Sequence, residues 1–196
     1  MMRRLSCFFF LALLSIPFIL KAQNTGEVRL YYGIAESGFL TSGQLEGAPG
    51  FSTTNFNEFG VRYLHHTFTS FSLATGINYL NATVNRTPAP GTQPSTDATS
   101  ETLNMLTIPL LLHVRVGRYL FINAGPLLDF QLSDNTHDLQ SGFGFMLGVG
   151  ASYAFDQFSV FVNPNIKGHA LIPFEQERYH RRLAEVGLQF GVGYSF

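Results

Sequence analysis

Six ionisable residues could do chemistry together if the fold brings them to one place. Three are arginines and three are carboxylates, and opposite charges of this kind can line a path for a solute or relay protons. They can also simply neutralise one another in a closed interior, because a buried charge without a partner is costly. The six are Arg29, Glu58, Arg62, Arg115, Asp129 and Glu185.

Two histidines, His113 and His169, could serve as general bases. Either would need a serine or an aspartate within hydrogen-bond reach, and the sequence contains no GxSxG or HExxH motif that would identify a partner. The neighbours His65 and His66 would point to opposite faces of a strand, which argues against shared metal binding. We therefore assign no catalytic, cofactor-binding or metal-binding residue, and an enzyme acting on lipid or ester substrates is kept as an alternative.

Alternating apolar residues define the elements that must position these groups. In the final stretch GLQFGVGYSF, positions 188, 190, 192, 194 and 196 are apolar or aromatic, and the positions between them carry glutamine, glycine or serine. A period of two predicts a β-strand with one apolar face. Seven earlier segments alternate in the same way, so the sequence predicts eight strands. The earlier apolar rows begin at Val28, Phe59, Leu73, Leu106, Leu120, Phe143 and Phe158.

The connections between these segments alternate strictly between short and long. This order predicts an up-and-down antiparallel sheet with tight turns at one end and long loops at the other, as in transmembrane β-barrels. The predicted turns are 65–70, 116–118 and 155–157, and the predicted loops are 36–55, 85–101, 132–141 and 168–180. Residues 23–196 therefore form one domain.

The composition of the second face indicates what surrounds the sheet. Only 13% of residues are charged, against about 25% in a soluble domain. Glycine, serine and asparagine cannot solvate the exterior of eight strands, but they suit a narrow lumen. We predict a closed all-β barrel whose apolar rows face lipid, because an open edge there would leave backbone groups without partners. A soluble lipocalin-like carrier, with these rows lining a cavity, is the alternative.

In the predicted barrel the six charges lie in the lumen. The interior of eight strands is just wide enough for side chains, so the charges are expected to form a structural plug and not a pore. Pro109 and Pro126 conflict with a continuous ladder, and we expect each at a bulge or a widely spaced site. Aromatic residues near the strand ends should lie at the two membrane interfaces. They are Tyr32, Tyr63, Tyr79, Tyr153, Tyr194 and Phe196.

The N-terminus has the layout of a secretory signal peptide. Arg3 and Arg4 precede an apolar run over 7–20, and cleavage is expected after Ala22. The run is short for a spanning helix, which needs about 20 residues, and an uncleaved membrane anchor is the alternative. Cleavage removes the only cysteine, Cys7, which excludes a disulfide framework. It leaves 9 basic and 13 acidic residues, a formal charge of −4, which disfavours a nucleic-acid partner.

The stretch LTIPLLLHVRVGRYLFINAGPLLDF, residues 106–130, resembles the centre of the outer-membrane β-barrel family abundant in Bacteroidota, called PorT-like, an eight-stranded barrel of the OmpX type. The ending GVGYSF resembles the signal that the barrel-assembly machinery recognises, with Tyr194 and Phe196 at the matching positions. The resemblance implies a monomer in the bacterial outer membrane, in contact with lipid and lipopolysaccharide. It implies no shared active site.

The segment HALIPFEQERYHRR, residues 169–182, mixes aromatic side chains with arginines. Arginines on a barrel rim can bind lipopolysaccharide phosphates or a protein partner, and an ordinary solvated loop is the alternative. The residues expected to make this surface contact are Phe174, Arg178, Tyr179, Arg181 and Arg182. We therefore expect a non-enzymatic barrel that presents loops for surface contact or assists an envelope or secretion process.

Overall fold

The structure is a computed structural model, and it describes residues 26–41, 50–68, 70–87, 99–133, 140–174 and 181–196. The expected signal peptide, residues 1–22, lies outside these ranges, as do Arg178 and Tyr179. Within the described ranges, no helix is long and apolar enough to cross a membrane.

Eight antiparallel strands form a closed barrel, in which each strand pairs with its sequence neighbours and the first pairs with the last. This confirms the predicted strand number, the up-and-down order and the closure. The strands are β1 (Gly26–Thr41), β2 (Gly50–His66), β3 (Phe71–Thr87), β4 (Thr99–Val116), β5 (Leu120–Gln131), β6 (Gly142–Phe155), β7 (Phe158–Pro173) and β8 (Arg181–Ser195).

The apolar rows face outward. Phe145, Val149, Phe190 and Val192 are between 45% and 56% exposed, whereas the alternate positions are mostly buried in the barrel. The lipocalin-like alternative required these four side chains to line an inner cavity, and it is wrong.

Several strands are longer than predicted. Pairing of β1 with β8 continues to Thr41 and Arg181, and β7 continues to Pro173, so the predicted loops 36–55 and 168–180 are wrong in their bounds. On β1 the outward positions after Ile34 are Glu36 and Gly38, and on β7 Gly168 and the adjacent register shift interrupt the apolar row before Ile172. The apolar alternation that predicted the strands then stops, although the backbone ladder continues.

The two ends of the barrel differ. We call the end with the tight connections 67–70, 117–119 and 156–157 the turn end, and the opposite end the loop end. Gly26 and Phe196 both lie at the turn end, where the Phe196 amide donates a 3.0 Å hydrogen bond to the Gly26 carbonyl.

The two prolines expected to disturb the ladder sit within strands without breaking them, as does Pro164 in β7. Pro109 lies in β4 and Pro126 in β5, and inward and outward positions alternate without interruption through both. The pairing register is the same on either side of each proline, but residue pairs are missing beside it. In the β3–β4 ladder the pair of Pro109 with Gly76 is missing, and in the β4–β5 ladder Gly125 and Pro126 are unpaired. No register shift occurs at either proline, which excludes the bulge, and the missing pairs fit the other alternative, a widely spaced site in an otherwise regular ladder that accommodates the missing N–H groups.

Bulges occur elsewhere, near the loop end. The β2–β3 register shifts between Thr54 and Asn57, and Asn55 between them has a φ of 53°. The β6–β7 register shifts between Phe143 and Phe145, opposite a stretch of β7 in which Ala170 has a φ of 45°. The first bulge adds one residue to β2 and the second adds two to β7, and each contains a residue in a left-handed backbone conformation.

Inward-facing glycines let neighbouring strands approach closely. A Cβ on Gly76 would lie 2.0 Å from the Val61 carbonyl oxygen, and one on Gly191 would lie 2.0 Å from the Leu30 carbonyl oxygen. These contacts leave no room for a side chain. The glycine-rich second face therefore permits the tight curvature of a small barrel.

The interior is filled by apolar clusters as well as polar groups. One cluster lies toward the loop end, between β2, β3, β4 and β8, and we call it the upper apolar cluster. It contains Phe56, Leu80, Ala82, Val84, Leu103, Met105 and Leu183. A second contains Leu64, Ala74, Leu111, Leu127 and Met146, and a third Tyr31, Phe121 and Phe161.

Candidate functional site

A chain of buried ion pairs crosses the lumen. Lys167 Nζ lies 2.8 Å from Glu58 Oε2 and 2.6 Å from Glu185 Oε1. His169 continues the chain, with Nδ1 3.1 Å from Asp129 Oδ1 and Nε2 3.4 Å from Glu185 Oε2, although the angles at the ring fall outside hydrogen-bond geometry. We call these five residues the central ion cluster.

Strand register builds this cluster. Lys167 on β7 is paired directly with Glu185 on β8, so both side chains point inward at the same height. Asp129 accepts hydrogen bonds from Thr107 Oγ1 at 2.7 Å and from the Ala170 amide at 3.2 Å. These partners offset part of the desolvation of the buried carboxylate.

An arginine–tyrosine group continues the network below the cluster. Arg62 lies over the ring of Tyr31, with the guanidinium carbon 4.8 Å from the ring centroid. Its Nη2 donates to the Tyr31 hydroxyl at 3.1 Å, and that hydroxyl donates to Asn78. Gln189 links this group to the central ion cluster through a 2.9 Å hydrogen bond from its Nε2 to Glu58.

A second ion pair lies nearer the turn end. Arg29 donates from Nε and Nη2 to the two carboxylate oxygens of Glu27, at 2.9 and 3.0 Å. Ser159 Oγ adds a 2.5 Å hydrogen bond to Glu27, and the guanidinium lies over the rings of Phe121 and Phe161. Arg29 is thus held by a carboxylate on its own strand.

Five of the six predicted lumen charges lie buried inside the barrel, and Arg115 does not. β4 ends at Val116, so Arg115 reaches the exposed rim of the turn end. Within the described part of the chain, no carboxylate lies within 4.0 Å of it. Its predicted place in the charge network is therefore corrected to the rim.

The sequence analysis did not predict three members of the ion pairs in the lumen, which are Glu27, Lys167 and His169. A period-two signal was available for two of them, because Glu27 stands two residues before Arg29 and Lys167 two residues after the inward Asn165. His169 was assigned to a loop because β7 was predicted to end before it. The continuation of β7 to Pro173 brings it into the barrel.

Among the described residues, the histidines that were considered as general bases have different surroundings. The enzyme alternative required a serine or aspartate near His113 or His169, and Asp129 meets that condition for His169. However, the Thr107 hydroxyl contacts Asp129 and not the imidazole, and His169 and Asp129 are 1% and 0% exposed. A lipid or ester has no direct access to them.

The other histidines that the structure describes lie at the turn end. The His113 ring lies 4.7 Å from the ring of Phe121. His65 faces outward, and His66 faces inward with Nδ1 2.8 Å from Ser72 Oγ. In the described ranges no group of three or more histidine, cysteine, aspartate or glutamate side chains is arranged so that it could hold a metal ion.

An aromatic girdle surrounds the turn end. Tyr194 and Phe196, the residues of the expected assembly signal, lie within it with their ring centroids 6.5 Å apart. Contacts of 5.3 to 6.5 Å between neighbouring ring centroids connect the girdle. Its members are Tyr63, Tyr119, Tyr153, Phe155, Phe158, Tyr194 and Phe196.

A polar row marks the other limit of the apolar band on β2, β3 and β4. Asn57, Asn81 and Asn104 are paired in register across these strands and face outward, and we call them the asparagine row. Asn81 Nδ2 donates to Asn104 Oδ1 at 2.7 Å, and the Tyr79 hydroxyl donates to the same oxygen at 3.0 Å. The tyrosine ring lies in the apolar band while its hydroxyl reaches the polar row, as at a membrane interface.

The expected surface-contact group is only partly described. Phe174 lies at the loop end, half exposed, with its ring centroid 6.0 Å from that of Phe130 and 5.4 Å from that of Phe143. Arg181 and Arg182 begin β8, which places them in the barrel wall and not in a loop.

Comparison with known proteins gives one family match. Residues 21–196 match the model described as "Outer membrane protein beta-barrel domain". No curated protein matches the chain.

Solved structures share the fold. The outer membrane protein OprG from Pseudomonas aeruginosa aligns with a TM-score of 0.53 at 12% identity, covering 87% of this chain and 95% of OprG. AlkL, an outer membrane protein determined in lipid bilayers, aligns with a TM-score of 0.58 at 10% identity, covering 87% of this chain and 89% of AlkL. At this identity the similarity concerns the fold alone.

Proposed function

We propose, from the premise that this chain belongs to the outer membrane protein beta-barrel domain family and resides in the bacterial outer membrane, that it is a non-enzymatic scaffold. It acts as a monomer, with its turn end in the periplasm and its loop end outside the cell. Its role is surface contact or assistance to an envelope or secretion process. The finer assignment to the PorT-like family of Bacteroidota belongs to this proposal.

The filled lumen is the observation that carries the proposal. The central ion cluster and the upper apolar cluster occupy the interior in series, and their side chains are almost entirely buried. A solute path would require both to open. An enzyme would require its reactive groups to reach a substrate, and the buried histidine–carboxylate group does not.

The loop end supplies the contact surface. Beyond the asparagine row, β2, β3 and β4 continue as a raised sheet whose inner face packs on the upper apolar cluster. The outer face carries small polar side chains such as Thr83 and Thr102. Lipopolysaccharide head groups lie at this height, and the asparagine row, together with Arg182, supplies hydrogen-bond donors for their sugars and phosphates.

The barrel-assembly machinery is the second proposed partner. The ring of Phe196 sits between those of Tyr63 and Tyr194, and both terminal aromatic residues lie at the membrane boundary. A terminal strand with this outward aromatic face is the feature expected to be recognised during insertion.

Binding of the folded protein to purified lipopolysaccharide tests the contact proposal. The double variant Phe174→Ala/Arg182→Gln should bind more weakly than the natural chain, because it removes an aromatic anchor and a cation from the loop end. Phe158→Ala, the same aromatic deletion at the turn end, should bind normally. Equal binding by all three proteins would contradict the proposal.

A further inference from the structure

A cavity of about 780 Å³ opens at the turn end of the barrel. It is closed above by buried side chains, since Tyr31, Arg62, Asn78 and Gln189 are each no more than 5% exposed. The cavity is therefore a blind chamber, open toward the periplasm in the proposed orientation.

The cations of this cavity differ in how they are paired. Arg29 is neutralised by Glu27 through two hydrogen bonds. Arg115 and Arg118 also line the cavity, and across the described ranges neither has a carboxylate within 4.0 Å. Asp156, the other acid of the lining, is exposed at the rim. Arg118 lies over the ring of Tyr119, with its guanidinium carbon 5.4 Å from the centroid, which leaves the N–H groups of both arginines to hydrogen-bond a ligand.

Other hydrogen-bonding groups line the same cavity. His66, Ser152 and Ser195 lie in its wall, as does the buried His113, whose ring centroid lies 4.7 Å from that of Phe121. A concave chamber of this size with a few convergent polar groups fits a small molecule better than a flat protein surface. A metal cation is a poor match, because the buried acid Glu27 is already bound by Arg29 and Ser159.

We propose that this cavity is a binding site for a small organic anion from the periplasm, held by Arg115 and Arg118. Guanidinium groups form charge-assisted, often bidentate hydrogen bonds with carboxylate and phosphate oxygens, which defines the ligand chemistry. The exposed Phe68 ring at the mouth offers an apolar contact to the rest of the molecule. The site is independent of the contact surface at the loop end.

Calorimetric titration of the full chain in detergent micelles tests the site, with citrate as the carboxylate probe and inorganic phosphate as the phosphate probe. Arg115→Gln and Arg118→Gln should each weaken binding about tenfold, since one charge-assisted hydrogen bond contributes roughly that factor. The double variant should bind neither probe. Preference for one probe identifies the anion class.

Two controls locate the effect in the cavity. Arg86→Gln removes the same charge from β3 near the loop end, and His65→Gln changes the outward neighbour of His66; both should bind as the natural chain does. Ser152→Phe fills the cavity without changing its charge and should also abolish binding. Absence of binding to both probes, or equal binding by Arg115→Gln, Arg118→Gln and Arg86→Gln, would overturn the proposal. Heat-dependent gel mobility verifies that each variant is folded.

Discussion

Lys167 lies between Glu58 and Glu185 with almost no exposure. Replacing it with methionine leaves Glu58 buried without a cation and Glu185 with only the imidazole of His169 beside it. Removal of one partner from a buried pair typically costs about 3–5 kcal/mol, so Lys167→Met should lower the free energy of unfolding by that order in urea titrations. The triple variant Lys167→Met/Glu58→Gln/Glu185→Gln should recover most of the loss. An unchanged free energy in the single variant would show that the ion pairs contribute little.

A glycine gives a second prediction at this scale. Gly191→Ala places a Cβ only 2.0 Å from the Leu30 carbonyl oxygen, so β8 must move away from β1. The folded fraction, read as the heat-sensitive band on a gel, should fall. Gly38→Ala is the matched control, because nothing lies within 4 Å of its added Cβ. Equal folded fractions would mean that the wall accommodates the methyl group.

The sequence could predict a residue's role only where that role depends on its position within a single strand. Alternation alone indicated that Glu58, Asp129 and Glu185 face inward. It could not give their partners, because Lys167 meets Glu58 across the barrel and that contact depends on the register of several strands. The sequence also could not show that Arg115 has no carboxylate partner. Arg29 and Arg115 occupy equivalent positions in the alternation of their strands and differ in their height along the barrel axis.

At the scale of elements, β8 is expected to direct assembly. The double variant Tyr194→Ala/Phe196→Ala removes the two terminal rings and should lower the amount of folded barrel in isolated outer membranes. Phe158→Ala removes a ring of the same girdle from β7 and should have a smaller effect, because it lies outside the terminal strand. A comparable loss in both would assign the effect to the girdle as a whole.

The number of strands and the inward or outward direction of their side chains were predictable, because the lipid-exposed part of every strand has a period of two. The positions at which the strands end were not predictable. Above the asparagine row, the outward positions of β3 and β4 become threonine, asparagine and serine, and the sequence then looks like a loop. The bulge near Asn55 could not be predicted for the same reason. The bulge near Ala170 could not be predicted because it adds two residues, so that Ile166 and Ile172 on either side of it both still face outward.

For the whole molecule, the filled lumen predicts the absence of conductance. The natural chain in a planar lipid bilayer should give no discrete current steps. The variant Phe56→Ser/Leu103→Ser loosens the upper apolar cluster, but the central ion cluster still blocks the interior, so this variant should also stay silent. Stable current steps from the natural chain would refute a structural plug.

β1 and β8 meet along fifteen residue pairs, from Glu27–Ser195 to Thr41–Arg181. Because β1 and β8 are the first and last strands of the barrel, they cannot pair until β8 has been synthesised and has reached the membrane. Until then the hydrogen-bonding groups of the opening strand need some other partner, since lipid offers none. The protein therefore depends on another protein to protect its unpaired strands during biogenesis. A chain truncated within β8 should be degraded and not inserted into the membrane.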